Sequence, residues 1–375
     1  MTKALPTLGR RIAVLLPDLR PGGAEKLHLA LAQEWSRVGI DVEFVLRQAQ
    51  GELLTCLPEN ARVINLRAPR VRYSILRLAR YLRETQPDAL LAAMWPLTVI
   101  APLAARLAGY RGTVVISEHA PQSLSYGGRG KLHNTLMSAS MRMFYPLADA
   151  RVAVSSGVAD DMARLSGIKH IDIAVIHNPA ATGRLVKRGE SSLPILPMDS
   201  PFVLAVGTLK PVKRHDLLIR AFARLKLPNA RLYILGEGRE RTSLAGLIRE
   251  LGMEDRILMP GFQMNTAPWY AHADLFVLSS DYEGFGNVIV EALEQGTPVV
   301  STDCPSGPRE ILENGKYGTL VPVGDVEALA KAMQDALSRE HAPEMLMRRA
   351  QDFSVDKAAD AYLDLLLPGW RVNTR

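Results

Sequence analysis

The chain has 375 residues, 47% of them hydrophobic and 22% charged, enough for two cores of ordinary size and too apolar for a disordered or collagen-like polymer. Two cysteines, Cys56 and Cys304, without a second thiol or histidine at ligand spacing, argue against a disulfide framework or zinc knuckle and fit a reducing cytoplasm. The formal charge of +6 is uneven: the first 190 residues carry 25 Lys and Arg against 15 Asp and Glu, the rest 20 against 24, while aromatics at 6% are not interleaved with the basic residues, so nucleic acid is not an expected partner.

In chain order, Met1 to Arg11 lacks the apolar core of a secretory signal and leads into a predicted strand, Arg11–Leu16. The loop Pro17 to Glu25 precedes a predicted helix, Ala24–Arg37. Its Gly22 and Gly23 let backbone N–H groups approach a phosphate at a helix entrance, but it is neither G-x-G-x-x-G nor a Walker loop, and a plain strand-to-helix turn accounts for it as well. A strand, Asp41–Leu46, follows. Val71, Ile75, Leu78 and Leu82 form an apolar helical stripe opposite Arg77, Arg80 and Arg83, suited either to an anionic lipid surface or to a packed helix with a solvated basic face. The uncharged stretch Ala89–Ala105, interrupted by Pro96 and Pro102, reads as a buried strand and then a buried helix, not a membrane span. Thr113–Ser117 is a strand that delivers His119 to a sheet edge, as a ligand or base or as a polar cap. Leu132, Leu136 and Met143, after the glycine-rich Tyr126–Gly130, form either a mobile acceptor loop or ordinary core, and Arg151–Ser155 is a further strand.

This alternation predicts parallel α/β layers. It restarts after Asn178-Pro179, with Ser191 to Pro201, including Pro194 and Pro197, as the expected linker. The strands of the second unit are predicted at Phe202–Val206, Arg231–Leu235, Asp274–Leu278, Thr297–Ser301 and Gly318–Val321. Two doubly wound domains follow, with ligands expected outside the carboxyl ends of the strands. Val206 to Arg214 brings three cations into one loop, of which Lys213 at the helix entrance is the best placed for a phosphate. In Ser279 to Leu293, Glu283 and Glu291 stand eight residues apart around a turn. There Gly284 and Gly286 let helix-start amides face ligand oxygens, and Glu291 can take both hydroxyls of a ribose. Asn287, Glu291 and Glu294 can equally form a solvent face at i, i+4 and i+7. Pro260-Gly261-Phe262 and Gly236-Glu237-Gly238 also follow strand-like runs.

In this order Gly22-Gly23, His119, Lys213, Pro260-Gly261-Phe262 and the E-x7-E element Glu283–Glu291 resemble the retaining glycosyltransferases of family 4, across nearly the whole chain. The resemblance implies the α/β GT-B architecture, two Rossmann-like domains facing each other across a cleft. It implies an acceptor-binding domain over 1–185, a nucleotide-sugar-binding domain over 186–353, and a final helix within 354–375 crossing back to the first. It also implies a catalytic set of His119 against the donor sugar, Lys213 on the diphosphate with Gly22 and Gly23, and Glu283 on the sugar. The donor-binding set adds Thr208, Lys210, Phe262 on the base, Gly284, Phe285, Gly286, Asn287 and Glu291 on the ribose. Thr208 stands where relatives carry Arg, and Lys210 is expected to compensate. No metal or other cofactor is expected, the leaving diphosphate being held by Lys213 and backbone amides. The wording Thr302 to Glu310 and Gly286-Asn287-Val288 resembles members that extend lipid-linked oligosaccharides or build surface polysaccharides from UDP-sugars such as UDP-N-acetylhexosamine. The expected partners are therefore a nucleotide-sugar, a glycan or lipid-linked glycan and an anionic membrane surface, with the protein cytoplasmic or peripheral on the cytoplasmic face. Competing readings are a nucleotide-sugar epimerase, a soluble sugar-phosphate glycosyltransferase and a non-catalytic nucleotide-binding protein; a dehydrogenase is disfavoured because no G-x-G-x-x-G follows the first strand.

Overall fold

The computed structural model describes residues 10–20, 22–186 and 200–373. Residues 1–9, Pro21 and, apart from Ser200 and Pro201, the predicted linker with Pro194 and Pro197 lie outside them. The chain divides into two compact units, Met1–Pro179 with Val355–Arg375, and Ala180–Ser354.

The first unit is built on seven strands, β1 (Arg11–Leu16), β2 (Asp41–Leu46), β3 (Arg62–Asn65), β4 (Ala89–Ala93), β5 (Thr113–Glu118), β6 (Ala150–Ala153) and β7 (Ala174–Val175). They form one parallel sheet of order β3-β2-β1-β4-β5-β6-β7. The second has β8 (Phe202–Val206), β9 (Arg231–Leu235), β10 (Ile257–Gly261), β11 (Leu275–Leu278), β12 (Val299–Thr302) and β13 (Thr319–Val321), parallel in the order β10-β9-β8-β11-β12-β13. Helices connect successive strands, so both sheet faces are covered, and this is why β1 and β4 are apolar almost without interruption. Each sheet reverses direction of growth once, between β1 and β4 and between β8 and β11. A crevice opens at such a switch point, outside the carboxyl ends of the two strands.

A recurring aspartate sets the strand starts. Asp88, just before β4, accepts from Arg11 N at 2.7 Å; Asp149, before β6, from Val114 N at 2.7 Å; Asp274, before β11, from Phe202 N at 2.8 Å. Each carboxylate satisfies an orphan N–H on the neighbouring strand and fixes the stagger of the pair.

Several predicted bounds shift for local reasons. The strand expected to run to Ser155 stops at Ala153, because the Ser155 hydroxyl caps the next helix, Ser156–Ser166, by accepting from Val158 N at 3.2 Å. The one expected from Thr297 begins at Val299: Pro298 has no N–H for the ladder, and Thr297 donates to Tyr270 O at 2.7 Å. The helix over 74–85 resolves the choice left by its stripe. Leu78 and Leu82 are wholly buried, so the apolar face is core, while Arg80 pairs with Glu84 at 2.8 Å and Arg77 donates to the carbonyls of Leu66 and Arg67. Leu132, Leu136 and Met143 are the reverse: all three are exposed on the helix Lys131–Phe144, which buries Met137 and Met141 instead.

The helix Val355–Leu366 packs within the first unit. It buries Ala358, Ala359, Tyr362, Leu363 and Leu366 there, Trp35 Nε1 donates to Ala359 O at 3.1 Å, and the Tyr362 hydroxyl lies 2.9 Å from Ser117 Oγ. At about 1.5–3 kcal/mol per large apolar side chain buried, this helix is integral to that core.

Candidate active site

In the second unit, neighbouring strands deliver their loops to one sheet edge. Backbone bonds tie these loops together: Gly207 N to Leu235 O at 2.9 Å, Leu209 N to Glu237 O at 3.0 Å and Gly236 N to Gly261 O at 2.9 Å. Thr208 and Lys210 are exposed there, and Phe262, just past β10, is 55% exposed. At the β8/β11 switch point, Lys213 Nζ donates to Glu283 Oε1 at 2.6 Å, and Ser280 Oγ donates to the same oxygen at 2.6 Å. Glu283 is buried and Lys213 largely so. The loop's third cation serves otherwise: Arg214, at φ +48°, pairs with Asp216 and Asp281, each at 3.1 Å. Lys213 is thus separated from its neighbours by partner: Arg214 is neutralised by two carboxylates, and the Lys210 ammonium makes no hydrogen bond or ion pair with the described residues.

The turn after Glu283 needs its glycines. Gly286 sits at φ +100° as the N-cap of the helix Asn287–Glu294, with no side chain capping it. Gly307, at φ +97°, lets the Phe285 carbonyl pass so closely that a Cβ there would lie 1.7 Å from its oxygen. One turn into the helix, Glu291 accepts from the Tyr270 hydroxyl at 2.9 Å. Burial, then the Glu291 charge, pushes the Tyr270 hydroxyl well above its ordinary pKa, so it remains a donor. The alternative of a solvent face fails on Glu294, which is buried and accepts from Gly183 N at 2.5 Å and Thr182 Oγ1 at 3.1 Å. Cys304 lies nearby as an inert thiol, pushed up to about 12 by burial and then by Glu283.

In the first unit, Gly22 caps the helix Gly23–Arg37 with its backbone alone. His119 leaves the end of β5, its Nε2 3.2 Å from Ser117 Oγ, which joins the Tyr362 hydroxyl. His119 Nδ1 is buried without a partner. Beside it, ring centroids 5.2 Å apart, stands His28. His28 Nδ1 lies 2.7 Å from Ala24 O and therefore carries the proton, leaving Nε2 buried and unpartnered. Burial lowers the pKa of His28 to about 4, and burial followed by His28 lowers His119 well below its usual range, so both rings are neutral at pH 7. Below them Glu118, wholly buried, accepts from Thr98 Oγ1 at 2.7 Å and from the Tyr145 hydroxyl and Gln122 amide.

Comparison with known proteins decides the family. Residues 21–184 match the model described as Glycosyltransferase Family 4, and residues 192–353 that of Glycosyl transferases group 1. The lipopolysaccharide core biosynthesis glycosyltransferase LpsE of Rhizobium meliloti (strain 1021) is 33% identical over 361 residues, 92% of this chain and 96% of LpsE. The chain belongs to the family 4 glycosyltransferases. A Campylobacter jejuni enzyme named N-acetylgalactosamine-N,N'-diacetylbacillosaminyl-diphospho-undecaprenol 4-alpha-N-acetylgalactosaminyltransferase is 28% identical over 370 residues, 96% of this chain and all of that one. The structure of Anabaena HepE in complex with UDP superposes with a TM-score of 0.77 at 22% identity, covering 95% of this chain and 99% of that one. The fold of this glycosyltransferase is accordingly GT-B, each of its two domains a Rossmann-like sheet.

The glycosyltransferase carries functional candidates that its motifs do not signal. Ser280, Tyr270 and His28 touch or adjoin the predicted residues, yet each stands in an unremarkable apolar or loop context; only the fold brings them in. The neutral histidines have a measurable consequence. His28, His119 and His215, the last also lowered to about 4 by burial and then Lys213, take up protons near pH 6.5 when unfolded but not when folded. Their contribution to stability is therefore full above about pH 6.5 and falls as pH drops toward 4, while the raised carboxyls of Glu25, Glu118 and Glu294 act in the opposite sense. Denaturant unfolding from pH 7.5 to 5, with a histidine variant beside the wild type, isolates this contribution. At a pH between the two histidine values, His215→Gln should lower the slope of stability against pH by about 1.4 kcal/mol per pH unit, the share of one proton; an unchanged slope would contradict it.

Proposed function

We propose that this glycosyltransferase moves a sugar from a UDP-sugar, a hexose or N-acetylhexosamine donor, with retention of anomeric configuration, onto a glycan or lipid-linked glycan acceptor in polysaccharide or oligosaccharide biosynthesis. The observation that carries the reading is the Lys213–Glu283 pair at the switch point of the second unit, with Glu291 one turn into the helix that follows. That unit is the donor domain and the first, with His119, the acceptor domain.

Lys213 has three N–H donors, so its ammonium can hold Glu283 and still meet a phosphate oxygen. As the glycosidic bond to the donor breaks, negative charge gathers on the departing diphosphate, and a fixed cation there favours the transition state over the bound substrate. Glu283, positioned by Ser280, hydrogen-bonds the donor sugar hydroxyls, and Glu291 takes the ribose diol. Phe262 meets the base, while Thr208, Lys210, the 284–286 backbone, Asn287, Gly22 and Gly23 complete the donor shell, Lys210 making up for the usual Arg at Thr208. His119, neutral, presents a hydrogen bond to the sugar and is no acid at pH 7. The protein works on the cytoplasmic side of a membrane, where exposed Leu132, Leu136 and Met143 suit peripheral contact; no helix among the described residues is long and apolar enough to cross one.

Slow hydrolysis of the donor in the absence of acceptor tests the mechanism. Proton NMR of the enzyme with UDP-glucose, UDP-galactose and their N-acetylated counterparts should show one donor consumed first, its sugar appearing initially as the α-anomer. Initial release of the β-anomer would overturn retention, and consumption of none would overturn the choice of donors.

A further inference from the structure

We propose that the first unit holds a binding site for a phosphoryl group carried by the acceptor, formed by Arg47 and Arg70 beside the indole of Trp95. The proposal rests on the glycosyltransferase reading for its role, and on a cavity for its place. That cavity, of about 490 Å³, is lined by Pro17, Arg47, Arg70, Val71, Trp95 and Leu97 among others. It therefore opens at the carboxyl ends of β1, β2 and β4, over the β1/β4 switch point of the first sheet, where a doubly wound fold takes its ligands. Its size is that of a sugar with a substituent rather than of a single ion.

The lining is chemically selective. Its charged lining residues are Arg47 and Arg70, from separate loops, and no Asp or Glu among the described residues is in the lining. Arg47 is held in place by donating to Ala68 O at 3.2 Å, which uses one of its five N–H groups. Arg70 is exposed, and its guanidinium makes no hydrogen bond or ion pair with the described residues. Asp18, next to the lining Pro17, is already engaged by Arg20 at 2.6 Å. Two arginines at one cavity match the double charge of a phosphate monoester or diphosphate better than the single charge of a carboxylate. Trp95 adds a flat apolar surface of the kind on which a sugar ring rests. Its ring is fixed edge-on to Tyr126 and His133, at 5.1 and 5.6 Å between centroids, and its Nε1 donates to Ser140 at 3.3 Å. The preceding Met94 sits at φ +67°, a conformation that costs a side-chain-bearing residue about 1–3 kcal/mol and is tolerated where a loop is shaped for a site. Trp95 N also lies 3.4 Å from the carboxylate of Glu118, the residue before His119, so the cavity adjoins the proposed donor-sugar contact within one unit.

The same oxyanion chemistry has two sources, a phosphorylated sugar of a glycan and the diphosphate of a prenyl carrier. Calorimetric titration of the full chain, with saturating UDP to fill the donor diphosphate site, separates them: the probes are glucose 6-phosphate, geranyl diphosphate and, as the uncharged control, glucose. At least one phosphorylated probe should bind and glucose should not. Preference for glucose 6-phosphate indicates a phosphorylated glycan, and preference for geranyl diphosphate a lipid-linked acceptor. In R47Q/R70Q the binding should weaken by roughly tenfold to a hundredfold while UDP affinity is unchanged. R70Q alone, at an exposed side chain, should weaken it by about tenfold and guards against misfolding of the double variant. Neither probe binding to the wild type, or both binding equally to the variants, would overturn the proposal. Absence of UDP binding is a separate result that would overturn the donor reading instead.

Discussion

Lys213→Ala is expected to lower kcat by about a hundredfold to a thousandfold, the usual cost of deleting a fixed donor at a site of developing charge. UDP binding should weaken less, by roughly tenfold, because a diphosphate already bound is held by several groups and gains most from Lys213 as the bond to the sugar breaks. The substitution also leaves Glu283 buried without the ammonium at 2.6 Å, so some loss of stability is expected in the same variant. Pairing Lys213→Met with Glu283→Gln removes both charges and keeps an amide oxygen for Ser280 Oγ. That double variant should recover stability and remain inactive. Steady-state kinetics beside denaturant unfolding distinguishes the two effects; recovery of turnover together with stability would show that Lys213 serves only the fold.

The second large effect belongs to Glu291. If this carboxylate accepts from both ribose hydroxyls, each charge-assisted hydrogen bond contributes about 1.5–3 kcal/mol, and Glu291→Ala should raise the Kd for UDP by about a hundredfold or more. Tyr270→Phe removes only the hydrogen bond that orients the carboxylate, at 2.9 Å, and should cost roughly tenfold. Uracil, which lacks the ribose, should be bound equally by the wild type and Glu291→Ala. The ordering of the two variants, measured by calorimetry, is the diagnostic feature.

Much of the fold was legible in residues 11–16, 41–46, 202–206 and 231–235, because strands covered on both faces are mostly apolar runs. The edge strands of the first sheet were not: Arg62-Val63-Ile64-Asn65 is mostly exposed and β7 is two residues long, so neither carries such a run. Of the candidate site, the E-x7-E turn and Lys213 could be read because glycines and charges cluster locally. Lys213 was chosen among the loop's cations for its place at the helix entrance; what the linear pattern did not carry is that Asp216 and Asp281 claim Arg214. Likewise the Leu78 and Leu82 stripe and the Leu132 and Leu136 stripe have the same helical period, yet one is core and the other surface. Period records a shared face and is silent on what covers it. Arg47, Arg70 and Trp95 come from the loops after β2, β3 and β4, which meet only through the order β3-β2-β1-β4, and no spacing announces them.

One measurement tests the donor site most directly: calorimetric titration of UDP, with GDP and ADP alongside, into the wild type and Glu291→Ala. Binding of one UDP per chain, weak or absent binding of GDP and ADP, and a hundredfold loss in Glu291→Ala are the expected results. Failure of UDP to bind, or UDP binding that Glu291→Ala leaves unchanged, would contradict a UDP-sugar site on the edge that carries Lys213, Glu283 and Glu291.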